Sequence, residues 1–480
     1  MVDPLSLASL AARVGGRVLG DGATVVSDVT HDSRVVAAGS LFAAVRGFVV
    51  DGHQFAHAAV AAGAAGVCVE DEAVVPNGTP AIVVPSVREA LGRLAAAVHG
   101  EPSLSLRVVG ITGTNGKTTV THILESIATA AGVQQAIIGT VGARINGEPV
   151  VVERTTPEAT DFQRLLAAMV GFGVDVAAVE VSSHALALGR VGGTEFDIGA
   201  FTNLSQDHLD FHADMEEYLA VKRSLFDLCR IGVIWVDDPA GAEIASKATI
   251  PIVRVGTGPD VDVRGAPVAV TIGGSTFDAS GPGGGARIHL RLPGRFNMSN
   301  ALVAGACANA LGISWETIAD GIGRVVSVPG RFEIVPTERD YTVVVDYAHT
   351  PAGVESMVRS AGELAAGGRV IAVAGAAGDR DSRKRPLMGA AAGTADVAVI
   401  TSDNPRSENP EMIVRQVAAG AGSDALVVVD RREAIRVAMD LAAPGDVVLI
   451  LGKGHETAQE IAGEFVPFDD RVVASEEASR

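Results

Sequence analysis

The sequence predicts a three-domain α/β protein with a parallel sheet in its central domain. Three observations lead to this fold class: the length of 480 residues, the alternation of strand-like apolar runs with helical segments, and a glycine loop that joins a strand to a helix. At about 150 residues per domain, the length corresponds to about three domains. Hydrophobic residues make up 48% of the chain and charged residues 20%, which suffices for several apolar cores.

The N-terminal domain is predicted to span residues 1–101 as a small α/β unit. A short apolar run, Ala81–Val84, precedes a stretch with helical spacing, Val87–Val98. Gly100 and Pro102 then predict a linker to the next domain.

The central domain is predicted at residues 102–328. The β-branched run Leu106–Ile111 enters the glycine loop, and Thr118–Ala131 follows at helical spacing. The later runs Val174–Val181 and Ile231–Val236 predict further buried strands between helices. This alternation is typical of a parallel α/β sheet.

Two other segments complete the predicted architecture. Short strands with Gly-Pro-Gly turns between residues 260 and 292 predict an antiparallel extension. The C-terminal domain, residues 329–480, has strand candidates at Tyr341–Val345, Arg369–Ala374 and Val447–Leu451 with helical segments between them. A second, smaller α/β sheet of the Rossmann-like kind is the simplest interpretation.

Composition excludes several classes of function. The chain has 38 Lys+Arg and 57 Asp+Glu, so its formal net charge is −19, which argues against nucleic-acid or anionic-membrane binding. No apolar stretch reaches the roughly 20 residues that cross a bilayer, and no targeting segment is visible. The three scattered cysteines (Cys68, Cys229 and Cys307) argue against a disulfide framework and favour a reduced, cytoplasmic compartment.

The glycine loop carries the sharpest local signal. Its residues are Gly113, Thr114, Asn115, Gly116, Lys117, Thr118 and Thr119. Backbone N–H groups and the positive end of the following helix can bind phosphate oxygens there. Lys117 is predicted to reach the β- and γ-phosphates, and the Thr118 hydroxyl to ligate Mg²⁺. Ile111 stands where the standard spacing has its first glycine, so the alternative is a tight turn with a solvated lysine.

Acidic and imidazole side chains follow two later strands. Glu180 lies near the end of the run Val174–Val181, and Asp207, His208 and His212 come farther along the chain. Because ligands bind at the carboxyl ends of parallel strands, Glu180 and His208 could hold Mg²⁺ beside the glycine loop. The alternative for His208 and His212 is an exposed helix start capped by Asp207.

Eight motifs in one chain together resemble the Mur ligases, the ATP-dependent amide-forming enzymes of peptidoglycan assembly. Four resemble the family as a whole: the glycine loop, Glu180-Val-Ser-Ser-His184, Asn203 with Asp207-His208, and Gly294-Arg-Phe-Asn297. Four resemble the branch that adds the third residue of the stem peptide: His31-Asp-Ser-Arg34, Asp346-Tyr-Ala-His349, Asp403-Asn-Pro-Arg406 and Gly452-Lys-Gly-His-Glu456. The resemblance implies an N-terminal UDP-sugar domain, a central P-loop ATPase domain and a C-terminal domain that closes over both.

The resemblance also implies roles around the nucleotide. Lys117, Glu180, His208 and Lys222 match catalytic positions, and Thr118, Glu180 and His208 match ligands of Mg²⁺. Lys222 by itself would be a solvated lysine on an amphipathic helix, but it matches a lysine that CO₂ carbamylates into a further Mg²⁺ ligand. Beyond the glycine loop, the positions that match ATP contacts are Asn297, Asn300, Arg331, Asp346 and His349.

Two further groups of residues match substrate contacts of the family. Those for UDP-N-acetylmuramoyl-L-Ala-D-Glu are Ser33, Thr155, Thr156, Ser182 and Arg190. Those for the incoming amino acid are Arg380, Asp403, Asn404, Pro405, Arg406, Gly452 and Glu456. By itself, the 403–406 segment would be an Asx-Pro turn after a strand.

Charge selects among amino acids in this interpretation. Diaminopimelate carries a carboxylate and an ammonium at its far end, whereas lysine carries only the ammonium. Arg406, helped by Arg380, can bind that carboxylate, and Glu456 can bind the ammonium. We therefore expect diaminopimelate, with the lysine-adding enzyme as the alternative.

The expected reaction is amide formation through an acyl phosphate, in a protein that acts as a monomer. Two rivals remain. A folylpolyglutamate synthetase uses the same acyl-phosphate logic, but the 31–34 and 403–406 motifs discriminate against it. A nucleotide-dependent switch would need fewer metal ligands than Glu180, His208 and Lys222 provide.

Overall fold

The computed structural model describes residues 5–271, 273–365 and 367–480, which form three main sheets. The N-terminal sheet has five strands, of which four are parallel and the first in sequence is an antiparallel edge. In spatial order these strands are Arg17–Leu19, Ala81–Val83, Gly66–Val69, Ser40–Ala43 and Asp28–Thr30. Three helices pack with it: Leu7–Val14, Ala56–Ala61 and Val87–Val98.

The central sheet has eleven strands and contains the predicted parallel core. In spatial order they are Glu148–Val150, Gly142–Ile145, Gln135–Gly139, Val176–Glu180, Arg107–Thr112, Phe196–Phe201, Cys229–Trp235, Ile252–Gly256, Val263–Thr271, Gly274–Gly281 and Gly284–Leu290. The seven strands from Gln135–Gly139 to Val263–Thr271 are parallel, and antiparallel hairpins extend both edges. The extension predicted between residues 260 and 292 is thus confirmed, and it continues the main sheet.

Helices cover both faces of this central sheet. They are Lys117–Ala130, Ala159–Gly171, Ser183–Ala187, Met215–Arg223, Pro239–Lys247, Arg295–Ala310 and Trp315–Arg324. One apolar cluster, which includes Ile111, Ile123 and Leu302, lies between the sheet and three of these helices. A second cluster, which includes Phe162 and Phe196, fills the opposite face. Burial on both faces explains why the parallel strands read as continuous apolar runs.

The C-terminal sheet has five parallel strands and an antiparallel edge. In spatial order they are Glu333–Val335, Thr342–Asp346, Val447–Leu451, Val370–Ala374, Val397–Ile400 and Leu426–Val427. The helices are Pro351–Ala365, Arg385–Ala392, Pro410–Ala418, Arg431–Leu441 and Asp470–Ala478. Two small sheets pair Leu5–Ser6 with Val25–Val26 and Ala458–Ile461 with Glu464–Pro467.

The predicted strands agree with the structure to within two residues at either end. Val447–Leu451 and the helix Val87–Val98 are found with the predicted bounds. The largest shifts are in the predicted runs Val174–Val181, which forms the strand Val176–Glu180, and Ile231–Val236, which forms Cys229–Trp235. Within the described ranges, no helix is both long and apolar enough for a membrane crossing. Cys68, Cys229 and Cys307 are buried free thiols.

Candidate active site

The glycine loop turns sharply between its strand and its helix, and its geometry requires glycine. Gly113 and Gly116 have φ angles of 142° and 88°, which side-chain-bearing residues rarely adopt. A β-carbon on Gly113 would collide with the Thr202 hydroxyl, and one on Gly116 would collide with the Asn300 amide. The loop backbone therefore lies directly against neighbouring polar side chains.

Asn203 fixes the middle of the loop. Its amide oxygen accepts a hydrogen bond from the Asn115 backbone N–H at 3.0 Å, and its amide nitrogen donates to the Asn115 carbonyl at 3.1 Å. The Thr202 hydroxyl donates to the same carbonyl at 2.6 Å. Both residues directly follow the strand Phe196–Phe201, whose last residue pairs with Thr112 at the end of the loop strand.

Lys117 begins the helix that follows the loop. Its ammonium donates to the carbonyls of Gly113 at 2.9 Å and Thr114 at 2.8 Å. Burial lowers the pKa of Lys117, while the carboxylate of Glu180 opposes that shift. The ammonium and the helix N-terminus together form the positive surface that a polyphosphate requires.

Glu180 lies beside this surface because its strand runs next to the loop strand and parallel to it. Its carboxylate is buried and accepts hydrogen bonds from the Thr118 hydroxyl at 3.1 Å and the Thr140 backbone N–H at 2.9 Å. The Thr140 hydroxyl donates to it at 3.0 Å. Its hydrogen-bond donors are all neutral, so its oxygens keep their negative charge for the nearby Lys117 or for a bound cation. The structure thus brings Thr118 and Glu180 together as a pair that fits Mg²⁺.

The protein supplies only part of a magnesium coordination sphere. In the part of the chain that the structure describes, no three His, Cys, Asp or Glu side chains converge on one point. Mg²⁺ usually keeps several waters and shares one or two carboxylates with substrate phosphates. Thr118 and Glu180 match that mode, and His208 lines the same cavity.

His208 lies on a tight turn, so the alternative of an exposed helix start was wrong. Its φ angle is +54°, and its carbonyl accepts from the His212 backbone N–H at 2.9 Å. His212 is buried, with 2% of its surface exposed. Burial lowers the pKa of His208 to about 4, even though Asp207 lies 3.3 Å from its Nε2 atom. A neutral imidazole is the form that can ligate a metal.

Lys222 is buried beneath the glycine loop, so the interpretation of a solvated lysine was also wrong. Only 1% of its surface is exposed, and its ammonium donates to the Gly113 carbonyl at 2.9 Å. It lies 4.4 Å above the Tyr218 ring. Burial, and then the charge of Lys117, lower its pKa well below the usual range.

The C-terminal domain reaches the end of the glycine loop through Arg331. Its guanidinium donates to the Thr118 hydroxyl at 3.1 Å and lies 4.4 Å from the Tyr347 ring. Asp346 accepts from the backbone N–H groups of Phe332 and Ala348, each at 2.7 Å, and burial raises its pKa. These contacts place a cation from a second domain directly at the loop.

The other predicted nucleotide residues lie around the same space. Asn300 donates to the amide oxygen of Asn297 at 3.2 Å, and Asn297 donates to the Pro293 carbonyl at 2.7 Å. The His349 ring nitrogen Nδ1 lies 2.8 Å from the Tyr347 carbonyl. Asn300 and His349 line the cavity described next.

One cavity of about 850 Å³ joins the loop, Glu180 and the C-terminal domain. Four of the five predicted UDP-substrate residues line it: Thr155, Thr156, Ser182 and Arg190. Ser33 instead begins a short 3₁₀ helix in the N-terminal domain, Ser33–Val35, outside this lining. The predicted amino-acid residues 380, 403–406, 452 and 456 also lie outside it.

Hydrogen bonds connect these residues to one another and to the strand that carries Glu180. The Thr156 hydroxyl donates to the Glu180 carbonyl at 2.8 Å, and Thr155 lies 3.2 Å from the Thr140 hydroxyl. Arg190 donates to the Thr156 carbonyl at 3.3 Å and pairs with Glu158 at 2.9 Å. Ser182 caps the next helix by accepting from the backbone of residue 185.

The amino-acid residues form a separate cluster in the C-terminal domain. Asn404 donates to a Glu456 carboxylate oxygen at 2.8 Å. Gly452, with φ +113°, allows the Asp403 carboxylate to approach where a β-carbon would collide. The residues that the cluster contains are Asp403, Asn404, Pro405, Arg406, Gly452 and Glu456.

Arg406 is held on two sides within this cluster. Its Nε atom donates to Glu460 at 3.1 Å and its Nη1 atom to the Gly378 carbonyl at 3.1 Å. Among the described residues, no hydrogen bond joins its Nη2 atom to a partner. Arg380 is exposed, and no ion pair joins it to another described residue. Arg380 directly follows Gly378 and Asp379, which accept hydrogen bonds from Arg406 and Ser407, so it lies on the loop that packs against Arg406. The expected help from Arg380 stays a prediction.

Four site residues were missed by the sequence argument: Thr140, Asn203, Lys453 and Glu460. Thr140 directly follows the strand Gln135–Gly139, so the rule that ligands bind at carboxyl ends of strands could have found it. Asn203 was read only as part of a motif. Nothing in the local pattern distinguished Lys453 or Glu460 from solvated charges.

The fold and site define the class of protein: a multidomain nucleotide-dependent enzyme whose phosphate loop meets an arginine from another domain. Comparisons with known proteins identify the family. Residues 25–99 match the Mur ligase family catalytic domain, 111–308 the Mur ligase middle domain, and 330–454 the Mur ligase glutamate ligase domain. The chain belongs to the Mur ligase family and is a ligase.

Within the family, the chain is most similar among the relatives compared to enzymes that share one name. The chain is 46% identical, over 92% of its length and 93% of the relative's, to the UDP-N-acetylmuramoyl-L-alanyl-D-glutamate–2,6-diaminopimelate ligase of Geobacillus thermodenitrificans. It is 44% identical to the enzyme of that name from Streptomyces coelicolor, covering 98% and 96% of the two chains. A solved structure with the same name has a TM-score of 0.72 and 31% identity, and covers 99% of both chains.

Proposed function

We propose that this chain is an ATP-dependent ligase that joins meso-2,6-diaminopimelate to the D-Glu carboxylate of UDP-N-acetylmuramoyl-L-Ala-D-Glu. The reaction forms ADP and phosphate and is the third-residue step of peptidoglycan stem-peptide synthesis. The single observation that carries the proposal is the shared cavity, in which Lys117, Glu180 and Arg331 face the predicted substrate residues Thr155 and Thr156. Relatives that are 46% and 44% identical over most of the chain support the substrates.

The chemistry requires activation of a carboxylate, because water opposes amide formation. The substrate carboxylate attacks the γ-phosphate of ATP, which gives an acyl phosphate and ADP. Lys117 and Arg331 lie where they can neutralise charge on the transferring phosphoryl group. Mg²⁺, held by Thr118, Glu180 and His208, would add charge neutralisation at the same phosphates.

The second half of the reaction needs water to be excluded. The amine of diaminopimelate attacks the acyl phosphate, and a tetrahedral adduct then releases phosphate. The C-terminal domain already contacts the phosphate loop through Arg331, so the same domain that carries the amino-acid cluster also covers the nucleotide. Closure of this kind protects a reactive intermediate from hydrolysis.

Lys222 is proposed to be carbamylated. An amine must be neutral to add CO₂, and its buried position beneath the loop favours the neutral form. The product, N6-carboxylysine, is an anion, and it forms with release of one proton. It would give the site a further oxygen ligand for Mg²⁺.

Diaminopimelate is preferred over lysine because of Arg406. Its guanidinium is fixed by Glu460 and Gly378, which leaves Nη2 able to bind the far carboxylate of the substrate. Lysine has no such carboxylate. We also propose a monomer in the cytoplasm, divided into domains at residues 1–101, 102–328 and 329–480.

The test is incubation of the chain with ATP, Mg²⁺, UDP-N-acetylmuramoyl-L-Ala-D-Glu and either diaminopimelate or lysine. Products are identified by mass and phosphate release is followed in parallel. We expect the diaminopimelate adduct, and almost no phosphate without the UDP acceptor. Lysine adduct alone would assign the alternative specificity, and phosphate release that ignores the acceptor would favour a nucleotide-dependent switch. A separate incubation with a folate acceptor and glutamate tests the remaining alternative, since extension of the folate would assign the folylpolyglutamate synthetase.

A further inference from the structure

Lys453 is a fully buried lysine that bonds to two members of the amino-acid cluster, Asn404 and Glu456. Its side chain is 0% exposed. Its ammonium donates to the Asn404 amide oxygen at 3.0 Å, to a Glu456 carboxylate oxygen at 2.9 Å and to the Ala458 carbonyl at 2.6 Å. A lysine is almost never fully buried unless paired, and these three acceptors use all three of its N–H donors.

The first consequence concerns the Asn404 amide. Its oxygen accepts from Lys453 and from the Glu460 backbone N–H at 3.1 Å. Its nitrogen is thereby turned toward Glu456, to which it donates at 2.8 Å. The opposite amide orientation would place NH₂ against an ammonium, so Lys453 determines which way Asn404 points.

The second consequence concerns the Glu456 carboxylate. Its Oε2 atom accepts from both Lys453 and Asn404, and its side chain is 32% exposed. Among the described residues, no donor bonds to its Oε1 atom. One oxygen is thus fixed by the protein, and the other is left available to a ligand. The positive charge of Lys453 also offsets the desolvation cost of this partly buried carboxylate in the unliganded protein.

We propose that Lys453 is a positioning residue for the amino-acid substrate. It holds Asn404 and Glu456 so that Oε1 of Glu456 receives the far ammonium of a diamino acid. Lys453 itself does not touch the substrate, because its three donors are occupied within the protein. The inference rests on the proposed function, since it assumes that Glu456 binds this ammonium.

A purely structural role has to be separated from this one, because Lys453 also bonds the carbonyl of Ala458 at the start of a β-hairpin. A structural loss would lower stability and affect all substrates together. A positioning role affects the amino acid selectively. It also affects lysine and diaminopimelate alike, because both carry the ammonium.

The experiment uses the full-length chain with Lys453→Ala, which removes three carbons and the ammonium. We expect the KM for diaminopimelate to rise about 10- to 100-fold, which is typical when a residue that holds the ligand-contacting side chains in place is removed. The KM for ATP should be nearly unchanged. Added n-propylammonium should fill the space and lower the KM again, whereas 1-propanol should not. The matched control is Lys247→Ala, an exposed lysine paired with Glu243 at 2.7 Å, which should leave all KM values unchanged.

Lys453→Met is the second variant, since it keeps the volume of the buried stem if the alanine variant fails to fold. A variant that melts at the wild-type temperature and has an unchanged KM for diaminopimelate overturns the proposal. An equal rise in the KM for all three substrates also overturns it. Rescue by propanol as well as propylammonium overturns it too, since filled volume alone would then suffice. Failure of the proposed function is distinguishable, because the wild-type chain would then not consume diaminopimelate at all.

Discussion

Substitution of Lys117 by alanine separates phosphoryl transfer from binding of the UDP substrate. The ammonium donates to two loop carbonyls and lies at the start of the loop helix, where the β- and γ-phosphates are expected. Two unit charges 4 Å apart at an effective dielectric constant of 20 interact by about 4 kcal/mol. Each 1.36 kcal/mol is tenfold in rate, so we expect kcat to fall about 10³-fold.

The same change should leave the UDP substrate bound. Among the residues predicted to contact it, Thr156 and Arg190 bond to one another and to the strand of Glu180, with no bond to Lys117. The Kd for UDP-N-acetylmuramoyl-L-Ala-D-Glu should therefore stay within about twofold, because Lys117 lines the same cavity but makes its hydrogen bonds to the loop carbonyls and none to these residues.

The assay follows phosphate release at saturating acceptor, with calorimetric titration of the UDP substrate on the same preparation. Lys247→Ala is the control for loss of a lysine elsewhere on the central domain. Retained turnover would show that the loop does not carry the reacting phosphate. A parallel loss of UDP-substrate binding in a folded variant would refute the division between the two sites.

Three other predictions concern separate groups. Arg406→Ala should raise the KM for diaminopimelate by about 30- to 150-fold, since a charge-assisted hydrogen bond contributes about 2–3 kcal/mol; unchanged diaminopimelate kinetics would remove the case for this substrate. With ¹³C-bicarbonate, Lys222 should give a carbamate NMR signal that Lys222→Ala lacks; identical spectra would exclude the modification. Desolvation, and then the charge of Arg331, lower the pKa of the half-buried His455 from 6.5 to about 4. The unfolded chain therefore binds more protons between these values, and stability should fall by about 2 kcal/mol from pH 7 to 5 through this group. Urea unfolding of His455→Gln at both pH values should show a smaller fall, and an equal fall would contradict the assignment.

Local patterns predicted most of the fold. The strands Val370–Ala374 and Val447–Leu451 and the helix Val87–Val98 follow from runs of apolar residues or from helical spacing, which neighbours along the chain determine. The glycine loop was also predictable, since a strand, a left-handed turn and a helix start are specified within a dozen residues. The positions of Glu180 and Asn203 next to it follow from the rule for carboxyl ends of parallel strands.

Charge environments were not predictable in the same way. Lys222 by itself was interpreted as a solvated lysine, and Lys453 was given no role, yet both are fully or almost fully buried. An exposed helix start was the alternative for His212, which is buried.

The sequence by itself determined the order of secondary structure, the glycine loop and the set of charged residues available for chemistry. Only the tertiary structure decided which charges are desolvated and which oppose one another. Arg331 meets Thr118 across 213 positions of the chain, and Lys453 meets Asn404 across 49. Such contacts depend on the packing of distant segments, and burial shifts protonation only after that packing has excluded water.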